Sequence, residues 1–146
     1  MSEPVEILLV EDNPNDMKLT LHSLERHKVT NRIQTVRDGA EALDFLFRRG
    51  AYAARDGGAP KVVLLDLKLP KVDGLEVLRQ VKAEPSTSKI PIVVLTSSRE
   101  DVDVETSYKL GANSYIVKPV DFEKFSESIR QLGLYWLLLN EPPRLM

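Results

Sequence analysis

Residues 61–70 read KVVLLDLKLP. Within them Val62–Leu65 is an unbroken apolar run, and Asp66 follows with no polar residue between. A short run of this kind, rich in Val and Leu, reads as a strand buried on both faces. Its carboxylate then sits at the carboxyl end of the strand. In open α/β sheets that edge is where ligands bind. The rest of the chain is arranged around Asp66.

The chain has 146 residues and suits one domain with a proper core. Its formal charge is −2, so it carries no basic footprint for nucleic acid. It has no cysteine, which excludes disulfides, thiolate metal sites and a cysteine nucleophile. The opening MSEPVEILLV holds acids where a signal peptide needs a basic stretch, and its apolar run is too short. Residues 132–139 are uncharged but cannot span a bilayer, which needs roughly 20 apolar residues. A soluble cytoplasmic protein is expected, with no membrane or nucleic-acid partner.

Residues 5–10 (VEILLV) form a second apolar run, which ends at Glu11-Asp12. Asn13-Pro14 opens a helix, and Met17, Leu21 and Leu24 recur at helical spacing. Residues 31–37 alternate as a half-exposed strand. Asp38 and Asp73 each precede a Glu by three residues, a capping pattern that opens two more helices. Residues 50–60 are rich in Gly and Ala and exceed the usual connection of about 2–6 residues, which predicts a mobile loop. Pro85 stops the helix that precedes the strand at 90–96. Ser97-Ser98 are expected to cap a helix from about residue 100 to 110, and Gly111 to end it. Residues 113–117 form a short strand before Lys118-Pro119. Asp121 caps a last helix, with Phe122, Phe125, Ile129 and Leu132 as its buried stripe. The order is strand then helix, five times. This implies a parallel sheet with helices on both faces and right-handed crossovers. His22 and His27 fall on the first helix as surface residues.

Glu11 and Asp12, Asp66, Thr96 and Lys118 all stand at strand ends. A parallel sheet brings them to one edge if the first, third, fourth and fifth strands lie together. Clustered carboxylates repel, and a divalent cation relieves that repulsion. All-oxygen ligands favour Mg²⁺ over zinc. With a lysine and a hydroxyl beside it, the edge makes a place for phosphoryl oxygens, where one Asp can attack phosphorus. Asp66, central in chain order, is assigned as that nucleophile.

The segments LLVEDNP, LLDLKLPKVDG, VVLTSS and SYIVKP together resemble response-regulator receiver domains of bacterial two-component signalling, over nearly the whole chain. Residues 50–60 and the ending GLYWLLLNEPPR also resemble the single-domain regulators paired with bacterial phytochrome kinases. The resemblance implies a single receiver domain over residues 1–146 with a flavodoxin-like sheet of strand order 2-1-3-4-5. Residues 133–146 would be an extension of the last helix and a tail. It implies a switch, not an enzyme, although one that assists its own phosphorylation and dephosphorylation. Asp66 would accept the phosphoryl group from a sensor histidine kinase, a bacterial phytochrome among the candidates. Mg²⁺ (or Mn²⁺) would be held by Asp12, Asp66, the backbone carbonyl of Lys68, and Glu11 directly or through a water. Thr96 would be the switch hydroxyl, Tyr115 the switch aromatic and Lys118 the phosphoryl-binding amine. Lys68 and Ser98 would tune dephosphorylation. The Lys118-Pro119 bond would be cis, aiming the lysine at the site.

Beyond the buried stripe of the last helix, residues 134–139 are apolar on every side, and one domain core cannot bury every face of a helix. A homodimer through Leu134, Tyr135, Trp136, Leu137 and Leu138 is expected, against a tail folded back on its own domain. Gly133 complicates a continuous helix there. Two other readings of the site are weaker. A flavin carrier of this topology needs a small-residue phosphate loop, but the acidic run at residues 11–14 would repel phosphate. An aspartyl-phosphate hydrolase typically has an acid two residues after its nucleophile, where this chain has Lys68.

Overall fold

The computed structural model describes residues 5–26, 32–55, 58–118 and 122–131. The strands are β1 (Ile7–Val10), β2 (Ile33–Val36), β3 (Val62–Leu65), β4 (Ile92–Thr96) and β5 (Ser114–Val117). The helices are α1 (Pro14–Arg26), α2 (Gly39–Phe47), α3 (Gly74–Ala83), α4 (Asp101–Lys109) and α5 (Phe122–Gln131). The strands form one parallel sheet in the order β2-β1-β3-β4-β5, as expected.

Side chains on a strand alternate between faces, and the sheet uses this to build two cores. Leu8, Val10, Val63, Leu65, Ile92 and Val94 face α2 and α3, where Leu43, Phe45, Leu78 and Val81 cover them. Ile7, Leu9, Val62, Leu64, Val93, Leu95 and Ile116 face the other way, onto Met17 and Leu24 of α1 and Phe125 of α5. The three central strands are fully buried, so they read as continuous apolar runs. Edge strand β2 is only partly buried, in keeping with its alternating sequence.

Asp38 and Asp73 cap α2 and α3, accepting from the amides of Glu41 and Glu76 at 2.7 and 3.0 Å. The expected cap of α4 is different. Glu100 holds the N-cap position and gives no side-chain bond, and the helix starts at Asp101. Ser98 lies two residues too early for the cap, and its hydroxyl is engaged by Asp103 and by the Glu100 amide.

The loop after α2 also departs from expectation, because its first half is anchored. Residues Gly50–Tyr52 form a 3₁₀ turn, and Tyr52 donates to Glu41 Oε2 at 2.7 Å. The Tyr52 ring meets Phe45 edge-on at 5.1 Å. Arg55 lies over the same Phe45 ring at 4.1 Å and donates to the Phe45 carbonyl. Burial and the adjacent Glu41 push the Tyr52 hydroxyl up to about 12. Gly and Ala supply the turn, while Tyr52 and Arg55 tie it to α2.

Gly74 sets how closely α3 approaches the end of β3. A Cβ built there would stand 2.2 Å from the Asp66 carbonyl oxygen and 2.5 Å from Leu67 Cα. Backbone atoms cannot yield as a side-chain end can. Gly74→Ala should therefore cost about 1–3 kcal/mol of stability, the usual penalty for overpacking. Gly58→Ala is the control, since a Cβ at Gly58 meets nothing within 4 Å. Urea unfolding midpoints compare the two. Equal midpoints would show that α3 shifts without cost.

The last helix is described as far as Gln131, with Phe125 buried against the sheet. Asp121, Pro119 and the expected dimer residues Leu134–Leu138 lie outside the described residues. Among the described residues no helix is long and apolar enough to cross a membrane.

Candidate phosphoryl-acceptor site

The edge of the sheet is built by ladder bonds that continue past the strands. Glu11 N donates to Val36 O, Asp66 N to Val10 O and Lys118 N to Thr96 O, at 2.8–3.1 Å. The pleat is thereby kept for one more residue. Glu11, Asp66 and Lys118 continue the alternation of Leu9, Leu64 and Ile116, on the face that packs α1. That shared parity is why three strands deliver their polar groups to one place.

Carboxylate oxygens of Glu11, Asp12 and Asp66 all lie within 4.8 Å of one another. Glu11 is 2% exposed and Asp66 7%, whereas Asp12 faces solvent. The Lys118 side chain is 10% exposed, and its ammonium sits among three acids. It donates to Asp66 Oδ2 at 2.9 Å, to Asp16 Oδ2 at 3.0 Å, and to Glu11 Oε1. Thus the expected residues Glu11, Asp12, Asp66 and Lys118 do converge.

Asp16 was missed by sequence reasoning. It reaches the site from the first turn of α1, which starts when Asn13 Oδ1 accepts from the amides of Asn15 and Asp16. Asn13 is thus the cap, which leaves Asp12 to the acidic cluster. No local signal marked it, since Asp12 precedes the cap and the contact that brings Asp16 into the site comes from distant Lys118.

Thr96 is fully buried, and its Oγ1 accepts from the Ser98 amide at 3.4 Å. Tyr115, half-buried on β5, donates to the Ser98 carbonyl at 3.1 Å. Lys68 is exposed, and its amide donates to Asp66 Oδ1 at 3.3 Å. Lys68 lines an open cleft of about 430 Å³ with Asp12, Leu69, Pro70, Asp73 and Asp103.

Burial pushes the Glu11 carboxyl up to about 7, against the pull of Lys118 and the Asn13 amide, and the negative charge of Asp66 adds to the rise. Burial alone would lower Lys118. Its bonds to Asp66, Glu11 and Asp16 outweigh that and raise it above the ordinary lysine value. The ammonium therefore stays charged while Glu11 titrates.

The donor set fits a hard divalent cation: three clustered carboxylates with, among the described residues, no imidazole, in a chain without cysteine. It also sets the sign of a pH effect. Between about 4.5 and about 7 the folded chain holds a proton on Glu11 that the unfolded chain does not. Glu11's contribution to the stability of the metal-free fold is therefore present at low pH and lost as pH rises through about 7. A cation must displace that proton. The rise in melting temperature given by Mg²⁺ should accordingly be larger at pH 8 than at pH 6. Equal shifts at both pH values would mean that Glu11 is already ionised when the metal arrives.

The model of the response regulator receiver domain matches residues 7–130. The "Probable methanogenesis regulatory protein FilR2" of Methanothrix harundinacea is 43% identical over 144 residues, covering 97% of this chain and 89% of that protein. The bacteriophytochrome response regulator AtBRR is 56% identical, with a TM-score of 0.85 over 96% of this chain and all of that one. Response regulator Rcp1 of Synechocystis sp. is 37% identical over 134 residues, 92% of this chain and 90% of Rcp1. The crystal structure of its Mn²⁺-bound form superposes with a TM-score of 0.75 over 98% of this chain and all of that one, at 35% identity. The buried acids around one lysine, the sheet that delivers them and these likenesses agree: the chain belongs to the response regulator receiver domain family of two-component signalling.

Proposed function

We propose that the protein is a phosphorylation switch in which Asp66 accepts a phosphoryl group from the phosphohistidine of a sensor histidine kinase. A carboxylate oxygen of Asp66 attacks phosphorus, the P–N bond breaks, and the electron pair leaves with the imidazole nitrogen. The observation that carries this reading is Lys118 Nζ bonded to Glu11, Asp16 and Asp66, where buried Glu11 and Asp66 cluster with exposed Asp12. Mg²⁺ (or Mn²⁺), when bound, neutralises the phosphoryl oxygens as charge develops on them. Glu11, Asp12, Asp66 and the Lys68 carbonyl would hold it.

Once Asp66 carries the phosphoryl group as an acyl phosphate, the added charge draws the Lys118 ammonium and the Thr96 hydroxyl. Thr96 gives up the Ser98 amide, and Tyr115 turns toward the space it leaves. The surface of α4, β5 and α5 then changes for a partner to read. Lys68 and Ser98 flank the phosphoryl group and set how fast water removes it. A bacterial phytochrome kinase is the proposed donor, on the strength of the likeness to AtBRR, and the cytoplasm is the proposed compartment. The proposed assembly is a homodimer of single receiver domains.

The test is phosphotransfer from purified histidine kinases, phytochrome kinases included, with Mg²⁺ and with EDTA. Rapid metal-dependent transfer from one kinase is expected. Transfer unaffected by EDTA would overturn the proposed role of the acids.

A further inference from the structure

Ser98 is held from four directions. Its amide donates to Thr96 Oγ1, and its carbonyl accepts from the Tyr115 hydroxyl. Its own hydroxyl accepts from the Glu100 amide at 3.3 Å and donates to Asp103 Oδ2 at 2.5 Å. The residue is 7% exposed. A bond to an ionised carboxylate is roughly twice as strong as one between neutral groups, so Asp103 is the firmest of these holds. Asp103 is half-buried in the first turn of α4 and also lines the cleft that contains Asp12, Lys68 and Asp73. A bland reading is available, since any acid in the first turn favours a helix. Exposed Asp101 in the same turn already supplies that charge, but among the described hydrogen bonds it holds no serine.

We propose that Asp103 is a positioning residue of the phosphoryl-acceptor site. By gripping the Ser98 hydroxyl it locks the connection between β4 and α4 in the resting arrangement. The lock extends to the hydroxyls of Thr96 and Tyr115, both bonded to the Ser98 backbone. The inference rests on the switch reading above. Thr96 must leave the Ser98 amide before it can reach a phosphoryl group on Asp66. A contact made in one of two arrangements biases the population toward that arrangement. The Asp103–Ser98 bond therefore holds the switch off. Removing it should raise the affinity of the protein for a phosphoryl group.

The experiment uses the whole chain, Mg²⁺ and beryllium fluoride, a mimic of an aspartyl-bound phosphoryl group. The protein carries fluorotyrosine, and Tyr115→Phe identifies the Tyr115 resonance. Asp103→Ala should tighten beryllium fluoride binding about tenfold, the scale of one charge-assisted hydrogen bond. It should also move the Tyr115 resonance of the unliganded protein toward its bound position. Ser98→Ala removes the same bond and keeps the charge of Asp103, so it should do both as well. Asp103→Asn keeps an acceptor for Ser98 but loses the charge that strengthens the bond, so it should tighten binding clearly less than Asp103→Ala. Equal tightening by the Asn and Ala variants, with Ser98→Ala unchanged, would show that charge in the cleft acts alone, and the inference would be wrong. If the wild type itself gives no response to beryllium fluoride, the switch reading fails and takes this inference with it.

Discussion

Asp66→Asn should take up no phosphoryl group from acetyl phosphate and Mg²⁺, under conditions where the wild type gains one. Several acids occupy this edge, so the choice of Asp66 needs an argument. Asp16 and Glu11 both face Lys118, but Asp16 sits on a helix and Glu11 is drawn toward the protonated state by burial. Asp12 is exposed, with no bond to the lysine among the described hydrogen bonds. Asp66 combines three properties. It ends a central strand between β1 and β4, one oxygen meets Lys118, and the other accepts from the Lys68 amide beside the open cleft. An incoming phosphoryl group would meet the ammonium and the acids' cation together at that point. Asparagine keeps the shape of the side chain and removes the nucleophilic oxygen anion. The variant should still fold, because it relieves repulsion among three acids and leaves Lys118 bonded to Glu11 and Asp16. Whole-protein mass after incubation measures the outcome. Labelling at the wild-type rate would move the acceptor to another carboxylate.

Much of this site was legible because a parallel sheet is a demanding structure. Its inner strands are buried on both faces, so Ile7–Val10, Val62–Leu65 and residues 92–95 stand out as apolar runs, and the polar residue after each run marks the edge. One caps pattern repeated at Asp38 and Asp73 then fixed where two helices begin. What could not be read was any contact between residues with no periodic relation. Asp16 looks like an ordinary first-turn acid until the lysine from β5 arrives, 102 residues away. Tyr52 and Arg55 sit in a Gly- and Ala-rich segment whose composition suggests mobility, but their partners, Glu41 and Phe45, belong to the preceding helix. Ser98 looked like a cap because Ser is a common cap. Its actual partners, Asp103 and Tyr115, depend on where α4 starts and on which strand neighbours β4.

Lys118→Ala should produce the largest loss of stability of any single change at the site, and Mg²⁺ should reverse much of it. Without the ammonium, Glu11 and Asp66 are left as buried acids with no counter-charge, and removing one member of a buried ion pair typically costs about 3–5 kcal/mol. Glu11 lowers that figure when it can take up a proton, and without the pull of Lys118 it does so at a higher pH than in the wild type, so the loss should shrink as pH falls. For Lys118 itself the sign runs the other way. Its raised value means that its contribution is complete below the ordinary lysine range and is lost only as pH rises through its higher folded value, so physiological pH leaves the bridge intact. A divalent cation among the acids supplies the positive charge that the variant lacks. Its stabilising effect should therefore be greater in Lys118→Ala than in the wild type, where ammonium and cation share the same carboxylates. Guanidinium unfolding at pH 8, with Mg²⁺ and with EDTA, compares the two proteins. An equal Mg²⁺ effect in both would mean that lysine and cation use different acids, and the cluster would have to be divided into two separate sites.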